Sequence, residues 1–518
     1  MTTPIPSTSE IASARSGDES DYNLSRRFLD PAPGERTALI TAAGPTTYAE
    51  LRTLVNRVGN ALRSLGVDKG DRVLISLRDG VTYIATWYAA QRIGAVTLDV
   101  CNFLSSDDYR HYVDYLEPSL VVTDGDAVEA LRSADVSGMA VFGPHGGLRA
   151  DEHDFEALVA AQPTDLTATP MSADDQVMWK LTTGSTGRPK ACRHVARSPW
   201  LSHLWFAKGV LDIQPDDVVM PVPKLFSGWA RDLVALYTMG VGATGVLYPE
   251  RSTPERIFEL AAQHRPTILV NVPTMMKSML AHPDAAKADL SSVRMCLSAG
   301  EQLPADLHRR WRDTFGVEVL DCVGSSESFN AVICNRPGHA RIGSLGQVIP
   351  HYEATVTDDE GNPLPDGEVG VLQVKGEPVA IDYWKAPEKT ATTFPAPNTL
   401  RTSDLFIRDA DGYFFYQGRA DDLLKVSGMW VAPTEIENCL ATHPAVVACA
   451  VVGYTTTDGL TSTRAFVVAS KPVSPAELQE YVKARLTPHK YPRDIRFVDA
   501  LPETPTGKID RNTLRSAE

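Results

Sequence analysis

Thr182-Thr-Gly-Ser-Thr-Gly-Arg-Pro-Lys190 gathers hydroxyls, two glycines and a closing lysine into one short stretch, a composition suited to gripping a polyanion. Gly184 and Gly187 let backbone N–H groups approach an anion closely, Thr182, Thr183, Ser185 and Thr186 add hydroxyl donors, and Lys190 adds a compact positive charge. A triphosphate fits that chemistry. The spacing is not that of the Walker loop, which closes on Gly-Lys-Ser/Thr and opens a helix; Pro189 lacks an N–H and biases Arg188 away from helix, so a loop is predicted. The same residues would also make a plain Gly/Ser/Thr turn between strands, and the rest of the chain has to decide.

Five further segments carry side chains of the right type for work on a nucleotide. Ser298-Ala-Gly-Glu-Gln-Leu-Pro304 follows a buried-strand pattern, so its small residues lie where ligands meet strand ends in α/β sheets. Asp321-Cys-Val-Gly-Ser-Ser-Glu327 offers Ser326 as a hydroxyl donor and Glu327 as a carboxylate able to hold Mg²⁺ near phosphates, or else a surface glutamate in a turn. Thr402-Ser-Asp404 supplies a carboxylate for a ribose diol, or an aspartate closing a turn. Within Gly418-Arg-Ala-Asp-Asp-Leu-Leu-Lys425, Arg419 could reach ribose or phosphate and Asp421 could act as a pivot; an exposed charged linker is the plain alternative. Lys508 sits in Pro502-Glu-Thr-Pro-Thr-Gly-Lys-Ile-Asp510, a Pro/Gly-stiffened loop, although a solvated lysine is the ordinary occupant of such a place.

The elements that must position these residues alternate. Apolar positions at 51, 54, 55, 58, 62 and 65 form a helical stripe ended by Gly66, Asp71 to Ser76 reads as a buried strand, and the alternation continues through Tyr83 to Val96 and Leu120 to Thr123. Val218 to Val222, Thr267 to Val272 and Val293 to Ala299 are further buried strands beside helices such as Pro254 to His264. After about residue 340 the pattern becomes short antiparallel strands, Tyr352 to Thr357, Val369 to Val374 and Gly412 to Gly418, with Asp/Gly/Pro turns between them. From there mixed α/β returns. The expected fold is α/β: a tail over 1–22, a large multilayered α/β domain with a β subdomain over 23–420, and a small mobile α+β lid over 421–518.

Composition narrows the class. A net charge of -15 over 518 residues argues against a nucleic-acid-wrapping protein or one held on an anionic membrane. Seven scattered cysteines without a C-x-x-C pair suggest neither a disulfide framework nor zinc, and the start lacks a signal-peptide pattern, so a reduced, cytoplasmic protein with no membrane span is expected.

Taken together, the six ordered segments resemble the acyl-adenylating superfamily of acyl-CoA synthetases, carrier-protein adenylation domains and luciferases, from Tyr48 to Arg515. Lys224-Leu-Phe, GVGATGVLYPERSTPE, HRPTILVNVPT, GRADDLLKVSGMWVAPTEIE and LTPHKYPRDIRFVDALPETPTGKIDR most resemble benzoate-CoA ligases and related aryl-acid-activating enzymes. The resemblance implies an AMP-forming acid ligase: a carboxylate attacks the α-phosphorus of Mg-ATP, and the acyl-adenylate then passes to an acceptor, CoA in the leading reading. It assigns the β- and γ-phosphates to residues 182–190, the α-phosphate to Ser326, the metal to Glu327, the ribose to Asp404 and Arg419, and the adenine surroundings to Gly300, Glu301, Gln302, Asp321 and Cys322. Tyr416 and Lys425 join that nucleotide set, Lys508 is the main cation of the first step, and the lid rotates about Asp421 to present Val426 to Trp430 to the acceptor. The acid pocket it implies contains His203, Ser227, Trp229, Arg231, Ala299, Gly324 and Asn330.

The chain departs from the family pattern in places. Ala191 stands where a glycine usually follows the loop lysine, a source of strain if that position needs positive φ. Ser227, Arg231 and Asp232 make a normally apolar wall polar, Asn330 replaces a usual histidine, and Gly459 to Arg464 lacks a lysine common in CoA users. A polar wall suits an aryl acid bearing amino or hydroxyl groups, because buried polar groups without partners are costly; alternatively Arg231 and Asp232 pair with each other outside the pocket. Carrier-protein loading, amide formation, nitrite activation for diazotising an aryl amine, an inactive scaffold and a homodimeric assembly are the remaining alternatives.

Overall fold

The computed structural model describes residues 21–143, 147–183, 189–422, 424–426, 429–456, 461–487, 490–502 and 509–516. Among these residues two large sheets of nine and eight strands form the N-terminal body. In the first, Val218–Pro221, Ile268–Asn271, Met295–Ser298 and Val319–Gly324 run parallel, nearly every residue buried, as continuous apolar strands covered on both faces must be. In the second, Arg72–Ser76, Val96–Asp99 and Leu120–Asp124 are parallel, and Gln176–Thr183 joins them and turns back as Pro189–Val195.

The first predicted helix spans Tyr48–Ser64 and starts at a capping box, in which Thr47 accepts from the Glu50 N–H and Glu50 returns a bond to the Thr47 N–H. Pro254–His264 forms as the apolar spacing predicts. Asp21 and Tyr22, expected in the tail, are held on the body: Asp21 is buried against Arg26, and the Tyr22 N–H donates to the Met171 carbonyl at 2.7 Å.

Glu353–Thr357, Gly370–Lys375, Thr399–Arg408 and Phe414–Arg419 form the antiparallel β subdomain. Beyond it, Val446–Thr455, Thr461–Ala469 and Asp494–Phe497 pair beneath the helices Pro433–Ala441 and Pro475–Lys483. Val431, Ile436, Leu440, Val467 and Leu478 give this small unit an apolar core of its own. It makes polar contacts to the body: Thr434 Oγ1 donates to the Gln417 carbonyl at 3.2 Å, and Lys277 donates to the Val447 carbonyl. Among the described residues no helix is long and apolar enough to cross a membrane.

Candidate active site

Gln176–Thr183 and Pro189–Val195 form a hairpin in which Thr182 faces Lys190 and Thr183 faces Pro189. The connection carrying Gly184, Ser185, Thr186 and Gly187 lies outside the described residues, as does Lys508. Ala191 is buried in the second strand and has no positive φ; its carbonyl accepts from the Trp384 N–H at 2.9 Å. The strain expected there is absent, because the position is ordinary extended backbone that any residue adopts.

Lys190 Nζ lies 5.6 Å from the centre of the Tyr383 ring, and the Tyr383 hydroxyl donates to Glu327 Oε1 at 2.6 Å. The turn after Val319–Gly324 thus brings Glu327 to the tyrosine whose ring the loop lysine approaches. Ser326 Oγ donates to the Leu181 carbonyl at 3.3 Å, and His194 Nε2 donates to the Ser326 carbonyl at 2.7 Å, fixing this turn to the hairpin from both strands. Burial, reinforced by Lys180, lowers His194 to about 3, so its ring is neutral. Phe329 holds φ at +78° in the same turn, a left-handed conformation rare for a bulky side chain and of the kind that clusters at functional sites.

On the nucleotide side, Asp404 and Arg419 face each other on adjacent strands, with Arg419 Nη1 at 3.2 Å from Asp404 Oδ1. Tyr416 lies on the same strand as Arg419 and packs edge-on against Phe406. Gly300 adopts φ +86° after Met295–Ser298, and the Glu301 carboxylate accepts from the Thr274 N–H at 3.1 Å in the first turn of Pro273–Ala281, where a negative charge is favoured. Gln302 is half-buried beside it. Asp321 pairs in register with Ser298; burial pushes its carboxyl well above the usual range, and Oδ1 has no partner among the described residues. The Cys322 thiol turns into the sheet toward Cys334, leaving backbone rather than side chain for a ligand. Asp421 lies in the turn Ala420–Asp422 and Lys425 on Leu424–Val426.

The wall predicted for the acid begins at Lys224. Its ammonium donates to the Tyr248 carbonyl at 2.9 Å, Leu225 N–H donates to Asp79 Oδ1 at 3.0 Å, and burial raises Asp79 to about 6. Ser227 precedes the short helix Gly228–Arg231, which widens into a π-helical turn from Asp232. Trp229 is half-buried, stacks on Phe206 and donates to the Asn271 carbonyl at 3.3 Å. Ala299 is buried at its strand end, and Gly324 is required as glycine, since a Cβ there would sit 2.1 Å from the Asn330 carbonyl oxygen. His203 is enclosed by Phe28, Trp200 and Tyr237, which makes its contacts those of a core side chain; burial lowers it to about 3.

Arg231 and Asp232 do pair, Nη2 to Oδ1 at 2.9 Å, and both are buried in the protein interior. Arg231 also pairs with Asp99, which accepts from the Tyr83 hydroxyl at 2.6 Å. Asp232 Oδ2 accepts from Lys180 and, at 2.9 Å, from Asn330 Nδ2. Lys180 also donates to the Phe329 carbonyl, and its ammonium lies 3.9 Å from the centre of the Phe329 ring. Burial would raise Asp232, but Lys180 and Arg231 hold its carboxyl below the ordinary range, while burial pulls Lys180 down to about 8. Sequence reasoning missed Lys180, Asp99, His194 and Tyr383. A lysine inside Val177-Met-Trp-Lys-Leu181 was the available signal for the first.

Two large, mainly parallel sheets, an antiparallel hairpin and a small unit beyond the β subdomain define an adenylate-forming architecture. The profile for AMP-binding enzyme matches residues 27–384, and that for the AMP-binding enzyme C-terminal domain matches residues 435–508. The chain belongs to the AMP-binding enzyme family, the acyl-adenylating superfamily. It is 38% identical to a benzoate–CoA ligase of Thauera aromatica, over 96% of this chain and 95% of the relative, and 35% identical to a 4-hydroxybenzoate–CoA/benzoate–CoA ligase of Rhodopseudomonas palustris, over 96% and 94%. A crystal structure of an anthranilate CoA ligase in complex with anthranoyl-AMP superimposes with TM-score 0.89 at 32% identity, covering 96% of each chain.

Proposed function

We propose that the protein activates a small aromatic carboxylic acid, one bearing a hydroxyl or amino group, by ATP-dependent adenylation and then transfers the acyl group to CoA. The observation that carries this reading is the likeness, over nearly the whole chain, to ligases named for benzoate, hydroxybenzoate and anthranilate. The polar wall supports the substituted ring. A carboxylate oxygen attacks the α-phosphorus and pyrophosphate leaves, so charge moves onto phosphate oxygens and the protein's task is positioning and electrostatic stabilisation. In this reading the 182–190 loop and Lys190 hold the departing phosphates, Ser326 donates to the α-phosphate, Asp404 with Arg419 orients the ribose, and Lys508 supplies the cation nearest the developing charge. Mg²⁺ keeps waters and substrate phosphates as ligands and needs only one or two protein carboxylates, which suits Glu327 held by Tyr383. Rotation of the small unit about Asp421 would then withdraw Lys508 and admit CoA.

The test is pyrophosphate release with a panel of benzoates, hydroxybenzoates, aminobenzoates and nitrite, with and without CoA, followed by mass spectrometry. ATP-dependent aryl-CoA thioesters are expected. Turnover that gives no thioester when CoA is present would sink the acceptor assignment.

A further inference from the structure

The buried ion cluster Lys180, Arg231, Asp232 and Asp99 is not explained by stability. Its side chains are 4%, 2%, 0% and 2% exposed, and ion pairs taken out of water are on average no better for stability than apolar residues filling the same space. It lies directly behind the acid wall. Gly228 is partly exposed, and a Cβ placed on it would have Lys180 Nζ at 3.5 Å, and Arg231 Nη2 and Lys180 Cε each at 3.7 Å, as its three nearest neighbours. The missing side chain therefore leaves room of about one methyl group against two cationic tips.

The donor count identifies what the gap can take. Lys180 commits two of its three N–H donors, to Asp232 Oδ2 and the Phe329 carbonyl, and it cannot accept while charged. The charges balance as well, two cations against two carboxylates, and Asn330 reinforces Asp232. A further full negative charge would be desolvated with no net charge to meet it, whereas a neutral oxygen acceptor completes the ammonium without disturbing the balance. An aromatic amine is mainly a donor and fits less well.

We propose that Lys180, reached across Gly228, is a specificity-determining residue that receives a ring hydroxyl oxygen of the acid. This deepens the aryl-acid reading and rests on it: of the hydroxyl and amino groups that a polar wall allows, the cluster selects hydroxyl. Arg231 and Asp232 hold Lys180 in place, and Asp99 with Tyr83 holds Arg231.

The test measures kcat and KM for benzoate, the three monohydroxybenzoates and the three aminobenzoates by pyrophosphate release, in wild type, Lys180→Met and Gly228→Ala. Gly228→Ala covers the cationic tips without changing a charge; the Cβ would make ordinary contacts and the backbone there is not left-handed, so this variant keeps the test sound should Lys180→Met fold poorly. The wild type is expected to prefer one hydroxybenzoate isomer, and in both variants its kcat/KM relative to benzoate is expected to fall about tenfold or more, carried by KM. Equal response of benzoate and hydroxybenzoates, or a wild-type preference for an aminobenzoate, overturns the inference and leaves aryl-acid activation standing. A wild type that releases no pyrophosphate with any aryl acid overturns both.

Discussion

The Tyr383 hydroxyl donates to Glu327 Oε1 at 2.6 Å, tying a two-residue edge strand to the carboxylate proposed to hold Mg²⁺. The Lys190 ammonium lies over the other face of this arrangement, against the Tyr383 ring. Tyr383 is therefore the link between the phosphate-loop hairpin and the metal carboxylate.

Tyr383→Phe keeps the ring and removes the donor. Pyrophosphate release is expected to fall about tenfold or more, the scale of one hydrogen bond to a charged partner, with a higher Mg²⁺ concentration needed for half-maximal rate. A Mg²⁺ titration superimposable on wild type would refute the link.

Lys508→Ala is expected to lower pyrophosphate release by about 10²–10³-fold, as loss of one preorganised electrostatic group does, while transfer from a chemically supplied acyl-adenylate to CoA is largely kept. Equal loss in both half-reactions would argue against withdrawal of Lys508 between them.

Asp232→Ala strands Lys180 and half of Arg231's bonds inside the protein, and denaturant unfolding should show a loss of about 3–5 kcal/mol. Lys180→Met leaves Arg231 facing both Asp99 and Asp232 but keeps the bonds of Asp232 to Arg231 and Asn330, so its loss should be clearly smaller. The reverse ranking would mean that the cluster is not organised around Asp232.

Lys180 titrates near 8 in the folded protein, pulled down from 10.5 by burial and by Arg231, against Asp232 and the Cys192 thiol; His194 on the neighbouring strand is neutral. Between pH 8 and 10.5 the unfolded chain thus binds a proton that the folded chain does not, so this group's contribution to stability rises with pH across that window and is at its least favourable below it. The stability of wild type relative to Lys180→Met should accordingly increase from pH 8 to 10. Preference for the hydroxylated acid should fall over the same interval, as the ammonium loses its proton. A wild-type-minus-variant difference independent of pH would show that Lys180 does not titrate there.

Much of this architecture was legible because it repeats a local rule. The stripe over Tyr48–Ser64, the capping pair Thr47 and Glu50, and the apolar strands Ile268–Asn271 and Met295–Ser298 are each dictated by nearby residues. Lys180 was not legible: a single polar residue in an apolar run acquires meaning only when Asp232, 52 positions away, is folded against it. His203 failed for the converse reason, since a histidine next to a pocket helix reads as a ligand contact until Phe28, from the far N-terminal end, closes over it. Ala191 looked strained only because a glycine was expected at that position, and the strand geometry removes the requirement. Asp404 and Arg419, both expected at the ribose, stand as direct cross-strand neighbours, a proximity no local pattern gives.

Because the small C-terminal unit buries Val431, Ile436, Leu440, Val467 and Leu478 among themselves and makes polar contacts to the body through Thr434 and the Val447 carbonyl, exchanging it for that of a relative need not repack the body. Acid choice, written in Lys180, Gly228 and Asp232, and acceptor choice, attributed to the far side of the junction, can then vary separately. Grafted chimeras of this chain should keep their preferred acid while changing what receives it.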